Sequence, residues 1–456
     1  MAASPSRTIA FEVLRRVEAE GAYASDVLHE TLDANVKPVD AALATEIALG
    51  VLRWRRLLDC LLERHLKKPV ERLDLPVALA LRMGIYQLRF LEKIPARAAV
   101  NESVELVKRA RKTSAAALVN AVLHKAAGEA STPAEKLLRP NPQPAERLAI
   151  LHSHPTWMVE RWLSRFGEAQ ATALLAANNE RPRLACVMHE PSRQQEILDE
   201  FEAAGMRVEP GVLLKNAFSV SGGSPAKTRA FRNGLISIQD EASQAVPLLL
   251  GVQPGDRVLD LCAAPGGKTA AMVRAAGSRG MVIAADRYAH RLRAARAQFE
   301  RLKLTGVELV ALDAERPLPF NEQFDRILVD APCSGTGTLA RHPEIRWRLK
   351  PEQLGELHRL QVRMLCNALA SLAPGGRLVY STCSFEPEEN DSVVAEVLRG
   401  EPSIRQVTEG VMAEAIDPHI AEGVDARALI TGDGCFRTSP ALQHTDGFFA
   451  VAFERA

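Results

Sequence analysis

Apolar residues recur at helical spacing through the first quarter of the chain. Ile9, Val13, Leu14 and Val17 fall on one helix face, and Leu43, Ile47, Leu49 and Leu52 on another. Asn35-Val-Lys-Pro38, Lys68-Pro69 and Ile94-Pro95 punctuate this pattern with turn residues. Residues 1–127 are therefore expected to form an all-α bundle. Gly128 to Glu146, rich in Ala, Pro and Asn, reads as a linker. His154-Pro-Thr-Trp157 opens a helix carrying Val159, Trp162, Leu163 and Phe166 inward. Arg183 to His189 and Ala217 to Ser221 read as short strands around a helix from Gln194 to Ala204. Residues 147–233 are accordingly expected to be a small α+β unit.

The pattern changes after that. Gly234 to Gln239 reads as a strand, and Gln239 to Ser243 leads a helix into the next domain. Val258, Leu259 and Leu261 make a short apolar run, which suits a strand covered on both faces of a parallel sheet. Pro265, Gly266 and Gly267 break it, and a helix is expected from about Lys268 to Ala276. Met281 to Ala285, Val307 to Leu312, Phe324 to Val329 and Leu378 to Tyr380 give further strands, and Asp446 to Phe453 gives an edge strand. Strands alternating with helices over residues 234–456 predict an α/β Rossmann-like domain. The whole chain is thus expected to be multidomain.

Five of these strands end in groups with chemistry. Asp286 closes the second strand, where a carboxylate can accept hydrogen bonds from both hydroxyls of a ribose. Asp313 closes the third, placed to meet an adenine edge. The fourth runs into Asp330-Ala-Pro-Cys333, and the fifth into Ser381-Thr-Cys-Ser384. The first strand leads into Cys262, Ala263, Ala264, Pro265, Gly266, Gly267 and Lys268, a glycine turn at a helix start. Backbone can approach a nucleotide closely there. The spacing is neither that of a phosphate-gripping loop nor the full dinucleotide fingerprint, so a ligand without a pyrophosphate fits better. S-adenosylmethionine is the candidate. Lys268 reads either as a plain first helical residue or as an ammonium that binds or orients near the reacting atoms.

Composition narrows the classes. A hydrophobic share of 47% supports full cores in two or three domains. No apolar run reaches the roughly 18 residues of a membrane helix, and the N-terminus lacks the apolar core of a signal peptide. A cytoplasmic protein without a membrane partner is expected. Seven widely spaced cysteines with no Cys-x-x-Cys pair read as reduced thiols, with no metal site. Residues 1–140 hold 22 Lys and Arg against 17 Asp and Glu, while the whole chain is only +1. The surplus gathers at Arg53-Trp-Arg-Arg56, Arg64-His-Leu-Lys-Lys68 and Lys108-Arg-Ala-Arg-Lys112. These read either as solvated helix faces or, together with Trp54, as a surface for nucleic acid. Arg341-His-Pro-Glu-Ile-Arg-Trp-Arg348 reads as a solvated loop or as a segment for stacking and phosphate contact. Cys60, Cys186, Cys366 and Cys435 read as small buried apolar residues. No role follows for Ala421 to Pro440.

Asp260-Leu-Cys-Ala-Ala-Pro-Gly-Gly-Lys-Thr269, Asp330-Ala-Pro-Cys-Ser334 and Ser381-Thr-Cys-Ser384 resemble three signature motifs of the RNA (cytosine-5) methyltransferases. Glu46-Ile-Ala-Leu-Gly-Val-Leu-Arg53, Met83-Gly-Ile-Tyr-Gln-Leu88, Val100-Asn-Glu-Ser-Val104 and Asn120-Ala-Val-Leu123 resemble the NusB-like helical RNA-binding domain. Together they resemble the bacterial 16S rRNA branch of that family. The resemblance implies methylation of carbon 5 of a cytosine, with S-adenosylmethionine as cofactor, rRNA as partner and a monomer as the working form. It implies that Cys383 adds to carbon 6, that Cys333 assists product release, and that Asp330 meets the cytosine edge or the cofactor. Cys262 would line the cofactor turn through its backbone, and residues 147–233 would serve as an RNA platform. The same chemistry on tRNA, or a non-catalytic RNA-binding antitermination factor, are the alternatives.

Overall fold

A computed structural model describes residues 3–32, 35–138 and 142–456. Packing divides the chain into two compact units, residues 1–180 with 339–348, and residues 181–338 with 349–456. Among the described residues, no helix is long and apolar enough to cross a membrane.

The first unit is helical. Helices Pro5–Glu20, Pro38–Glu63 and Pro144–Leu151 begin with proline, whose missing N–H would have no partner in a first turn. Val13, Leu14, Ile47, Leu58, Leu62, Leu79, Met83 and Leu123 form the bundle's core. The expected helical spacing therefore marks real inward faces. The helix Thr156–Ala177 also lies in this unit, with Val159 and Trp162 buried. This helix pairs with Pro144–Leu151, so packing groups it with the first unit up to residue 180.

Two expectations for this unit are corrected. The segment Leu339–Arg348 is built into it and is no solvated RNA loop. Arg346 is fully buried and donates to the carbonyls of Arg53, Ser153, Asn178 and Leu339 and to Asn179 Oδ1. Trp347 Nε1 donates to Leu52 O at 2.6 Å, and Arg348 donates to Val17 O and Ala22 O. Val17, Ala22 and Asn178 sit at helix ends, where carbonyls lack helical partners. Guanidinium forks satisfy such groups as readily as they satisfy phosphates. The basic cluster at 53–56 also turns inward. Arg53 is buried and donates to Ala340 O at 2.9 Å, while Trp54 stacks on Phe90 with ring centroids 5.0 Å apart. Of the other two clusters, Lys67, Lys68, Lys108, Arg109 and Arg111 are exposed.

Arg346→Met should cost roughly 3 kcal/mol or more, since several buried carbonyls lose their donor at about 1–3 kcal/mol each. The thermal unfolding midpoint should fall, while the salt dependence of RNA binding stays as in the wild type. An unchanged midpoint with weakened RNA binding would reinstate an RNA contact.

The second unit holds two sheets. Strands β1 (Leu184–Met188), β2 (Arg207–Pro210), β3 (Ala217–Ser221) and β4 (Ile236–Ile238) form an antiparallel sheet in the order β2-β3-β1-β4. Helix Gln194–Ala203 covers it through Ile197 and Phe201. β4 was expected to open the α/β domain. It instead pairs with β1, Met188 facing Ile236 and Cys186 facing Ile238.

The large sheet contains β5 (Arg257–Asp260), β6 (Met281–Asp286), β7 (Val307–Ala311), β8 (Phe324–Asp330), β9 (Leu372–Thr382), β10 (Ile404–Gln406), β11 (Cys435–Arg437) and β12 (Phe449–Arg455). Its order is β10-β12-β9-β8-β5-β6-β7, with β11 attached to β12. Strands β5 to β9 run parallel, and β12 enters antiparallel against β9. Val258, Leu328 and Val379 pack in one apolar cluster, whereas Leu259, Ile327, Val329, Leu378 and Tyr380 pack in another. This alternation is why the strands are apolar throughout. Strand order reverses between β5 and β8, which opens a crevice at their carboxyl ends. Residues 421–440, without an expected role, cover the first cluster with Ala426, Leu429, Ile430 and Phe436 and supply β11.

Candidate active site

The site forms where β5, β6, β8 and β9 end. Register decides which residues meet. Asp330 of β8 lies opposite Ser381 of β9, and Ala331 N–H donates to Ser381 O at 2.9 Å. The chain continues three residues past Asp330 to Cys333 and two past Ser381 to Cys383. Their sulfurs stand 3.1 Å apart as free thiols, and Cys383 N–H donates to Cys333 Sγ at 3.3 Å. Gly337 and Gly447 touch backbone to backbone behind them. Gly337 N–H donates to Cys383 O and Gly447 N–H to Gly337 O, and a Cβ on Gly337 would collide with Gly447 O.

A charged pair lies alongside. Lys268 Nζ donates to Asp330 Oδ2 at 2.7 Å, and Ser381 Oγ donates to Asp330 Oδ1 at 2.7 Å. The Lys268 ammonium also sits 5.0 Å from the centre of the Phe448 ring. Burial alone would lower the Lys268 pKa, but the Asp330 carboxylate, with a contribution from Cys383, holds it above its ordinary value. The Cys333 thiol is pushed well above the usual range by its hydrogen bond with Cys383, by burial, and by the negative charges of Cys383 and Glu389.

The turn after β5 carries a cis Ala264–Pro265 bond and Gly266 at φ +104°. A Cβ on Gly266 would lie 2.7 Å from the Phe299 ring, so no other residue fits there without displacing it. Thr269 Oγ1 donates to Asp260 Oδ2 at 2.7 Å. Burial raises the Asp260 pKa to about 7. Asp286 Oδ1 accepts from Tyr288 N–H at 2.9 Å, and its Oδ2 lies 3.2 Å from Arg291 Nη1. Arg291 reaches back to Ala264 O at 3.1 Å, joining this corner to the turn. Asp260 Oδ1 and Asp286 Oδ2 are buried and take no hydrogen bond. Asp313 is partly exposed, and its Oδ1 accepts from Glu315 N–H at 3.1 Å. Cys262 is held above its ordinary pKa by burial and then by the nearby carboxylates, which suits a backbone role. Among the described residues, no group of three His, Cys, Asp or Glu side chains could hold a metal ion.

Glu389, Gln361 and Phe448 are site residues that the sequence reading missed. Glu389 is fully buried and accepts hydrogen bonds from Ser334, Ser384 and Gln361. Its signal was the acidic run Glu386-Pro-Glu-Glu389 directly after the second cysteine motif, a place where surface charge is the default reading.

Residues 247–454 match the family model described as 16S rRNA methyltransferase RsmB/F, and residues 4–128 match the NusB family. Residues 154–226 match a ferredoxin-like domain of RsmF/B-like methyltransferases. The chain is 33% identical to a probable ribosomal RNA small subunit methyltransferase B of Bacillus subtilis, over 98% of each chain. It is 35% identical to the ribosomal RNA small subunit methyltransferase B of Pseudomonas putida, over 86% of this chain and 89% of that one. A solved methyltransferase homolog protein from Pyrococcus horikoshii superposes with a TM-score of 0.57 at 26% identity, covering 69% of this chain and all of that one.

Proposed function

This chain belongs to the RsmB/F family of 16S rRNA methyltransferases, and we propose that it methylates carbon 5 of a cytosine in small-subunit rRNA through a covalent bond from Cys383 to carbon 6. The observation that carries this reading is the pair of thiols 3.1 Å apart beside the Lys268–Asp330 ion pair.

Carbon 5 of cytosine is a poor nucleophile. When the Cys383 sulfur bonds to carbon 6, the electron pair of the ring double bond moves toward carbon 5 and makes it one. S-adenosylmethionine, when bound, supplies the methyl group on a positively charged sulfonium. Removal of the carbon 5 proton then restores the double bond and expels the Cys383 thiolate. The Lys268 ammonium, held charged by Asp330, interacts electrostatically with Cys383 and places a positive charge at the reacting site. Cys333 is kept protonated first of all by its hydrogen bond with Cys383. Once Cys383 is committed to a carbon–sulfur bond, its hydrogen bond and charge no longer hold that proton; Cys333 then releases it to solvent, and the resulting thiolate takes the carbon 5 proton. The target base must leave its stack, since carbon 6 is shielded within one.

The corner from Asp260 to Asp286 suits the cofactor. Asp260 Oδ1 and Asp286 Oδ2 are buried and complete no hydrogen bond, although Arg291 forms an ion pair with the second, and ribose hydroxyls and an amino group are donors that suit them. Cys262, Ala263, Ala264, Pro265, Gly266 and Gly267 would line it, Asp286 would hold the ribose and Asp313 the adenine edge.

A pH effect follows from Asp260, which titrates at about 7 because it is buried. If it receives donors from the cofactor, it must lose its proton for binding. S-adenosylmethionine affinity should then rise from pH 6 to pH 8, with proton release on binding. Calorimetry in buffers of different ionisation enthalpy measures both, and affinity that is flat across this range would remove Asp260 from the site. For stability alone the sign is opposite. The raised carboxyl pKa favours the fold at low pH, and that contribution is lost as pH climbs from the ordinary Asp range toward 7.

The proposed activity is tested by incubating the purified protein with S-adenosylmethionine and 16S rRNA and resolving the nucleosides by mass spectrometry. 5-methylcytidine is expected. A methyl group on ribose or on an exocyclic nitrogen, or 5-methylcytidine only when tRNA is supplied, would overturn the assignment.

A further inference from the structure

We propose, resting on that reading, that Glu389 is the positioning residue of the two-cysteine site, a buried carboxylate that sets the spacing of Cys333 and Cys383 by gripping the residue after each. Ser334 follows Cys333, and Glu389 takes its N–H on Oε1 at 2.8 Å and its hydroxyl on Oε2. Ser384 follows Cys383 and gives its hydroxyl to the same Oε2. The two serine oxygens are 3.0 Å apart, parallel to the two sulfurs. Gln361 closes the frame. Its Nε2 reaches Glu389 Oε1 at 3.0 Å and Pro332 O at 2.9 Å, so Cys333 is held from both sides.

Glu389 itself is anchored. Tyr380 donates its hydroxyl to Glu389 O at 2.6 Å, and Asn390 Nδ2 donates to Ser384 O at 2.7 Å. No cation pairs with this carboxylate among the described residues. Burial raises its pKa even though Ser334 and Ser384 hydrogen-bond it. Burying a carboxylate without a counter-ion is costly, and here the return is geometric, since every donor to it flanks a cysteine or braces that loop. Glu389 makes no hydrogen bond to either sulfur, which marks it as positioning and not catalytic.

Two substitutions separate position from charge. In Glu389→Gln the amide oxygen can still accept from Ser334 N–H and Gln361, and the amide N–H groups can meet the two serine hydroxyls, which turn to accept. Glu389→Ala removes the frame. In the full-length protein, Glu389→Ala should lower kcat on the order of 100-fold, the scale of a misplaced reacting group. Glu389→Gln should stay within about threefold of wild type, and S-adenosylmethionine affinity should be unchanged in both. Dibromobimane, which bridges two adjacent thiols, should link Cys333 to Cys383 in wild type and Glu389→Gln but poorly in Glu389→Ala. Wild-type turnover and bridging in Glu389→Ala would overturn the proposal. So would a Glu389→Gln protein as inactive as Glu389→Ala with bridging intact, because charge would then be what matters. If Glu389→Ala fails to fold, the Ser334→Ala, Ser384→Ala double variant decides, with weaker bridging expected and wild-type bridging as the refutation. Bridging needs no methyl transfer, so a wild type that bridges but makes no 5-methylcytidine would refute the function and leave the positioning role standing.

Discussion

Cys383→Ala should abolish both methylation and any covalent RNA adduct, whereas Cys333→Ala should still form the adduct and stall on it. The order of bond making requires this asymmetry. Without the Cys383 sulfur no bond to carbon 6 forms, and carbon 5 stays inert. Without Cys333 the bond forms and the methyl group arrives, but the proton on carbon 5 lacks its acceptor. The Cys333→Ala protein should therefore accumulate a protein–RNA species that survives denaturing gels, requires S-adenosylmethionine and vanishes in the double variant. Turnover in either single variant should drop by on the order of 100-fold or more, as expected when a covalent or general-base step is removed. An adduct trapped in Cys383→Ala instead would exchange the two roles. Normal methylation in both variants would end the covalent mechanism.

Lys268→Met should be the next largest loss, about 10- to 100-fold in kcat, as when a charge aimed at the reacting atoms is removed. The Lys268 ammonium is buried, 2.7 Å from Asp330, and interacts electrostatically with Cys383. Methionine keeps most of its volume and its contact with Phe448 while deleting the charge. The reacting site then loses its cation and Asp330 loses its partner. Lys268→Arg should restore part of the rate. A loss that Lys268→Arg does not recover at all would point to a packing role.

The parallel strands of the large sheet were legible because burial on both faces writes them as unbroken apolar runs ending in polar residues. Register then fixed what no single stretch states, that Cys333 and Cys383, 50 residues apart, share one site. The short strands β2, β10 and β11 were not legible. At three or four residues each, they carry too little pattern to separate from loop. Arg346 and Trp347 misled for a different reason. Guanidinium and indole donors suit phosphates and bases, but also helix-end carbonyls, and those carbonyls come from residues far away in sequence. Glu389 was hidden likewise, since only the fold delivers Ser334 and Gln361 to it.

Installation of 5-methylcytosine in small-subunit rRNA through Cys383 can be read directly in cells. Bisulfite sequencing of 16S rRNA from a strain lacking the gene, complemented with wild type or Cys383→Ala, tests it most directly. One protected cytosine should disappear on deletion, return with wild type and stay absent with Cys383→Ala. Protection that persists in the deletion strain, or that Cys383→Ala restores, would contradict it.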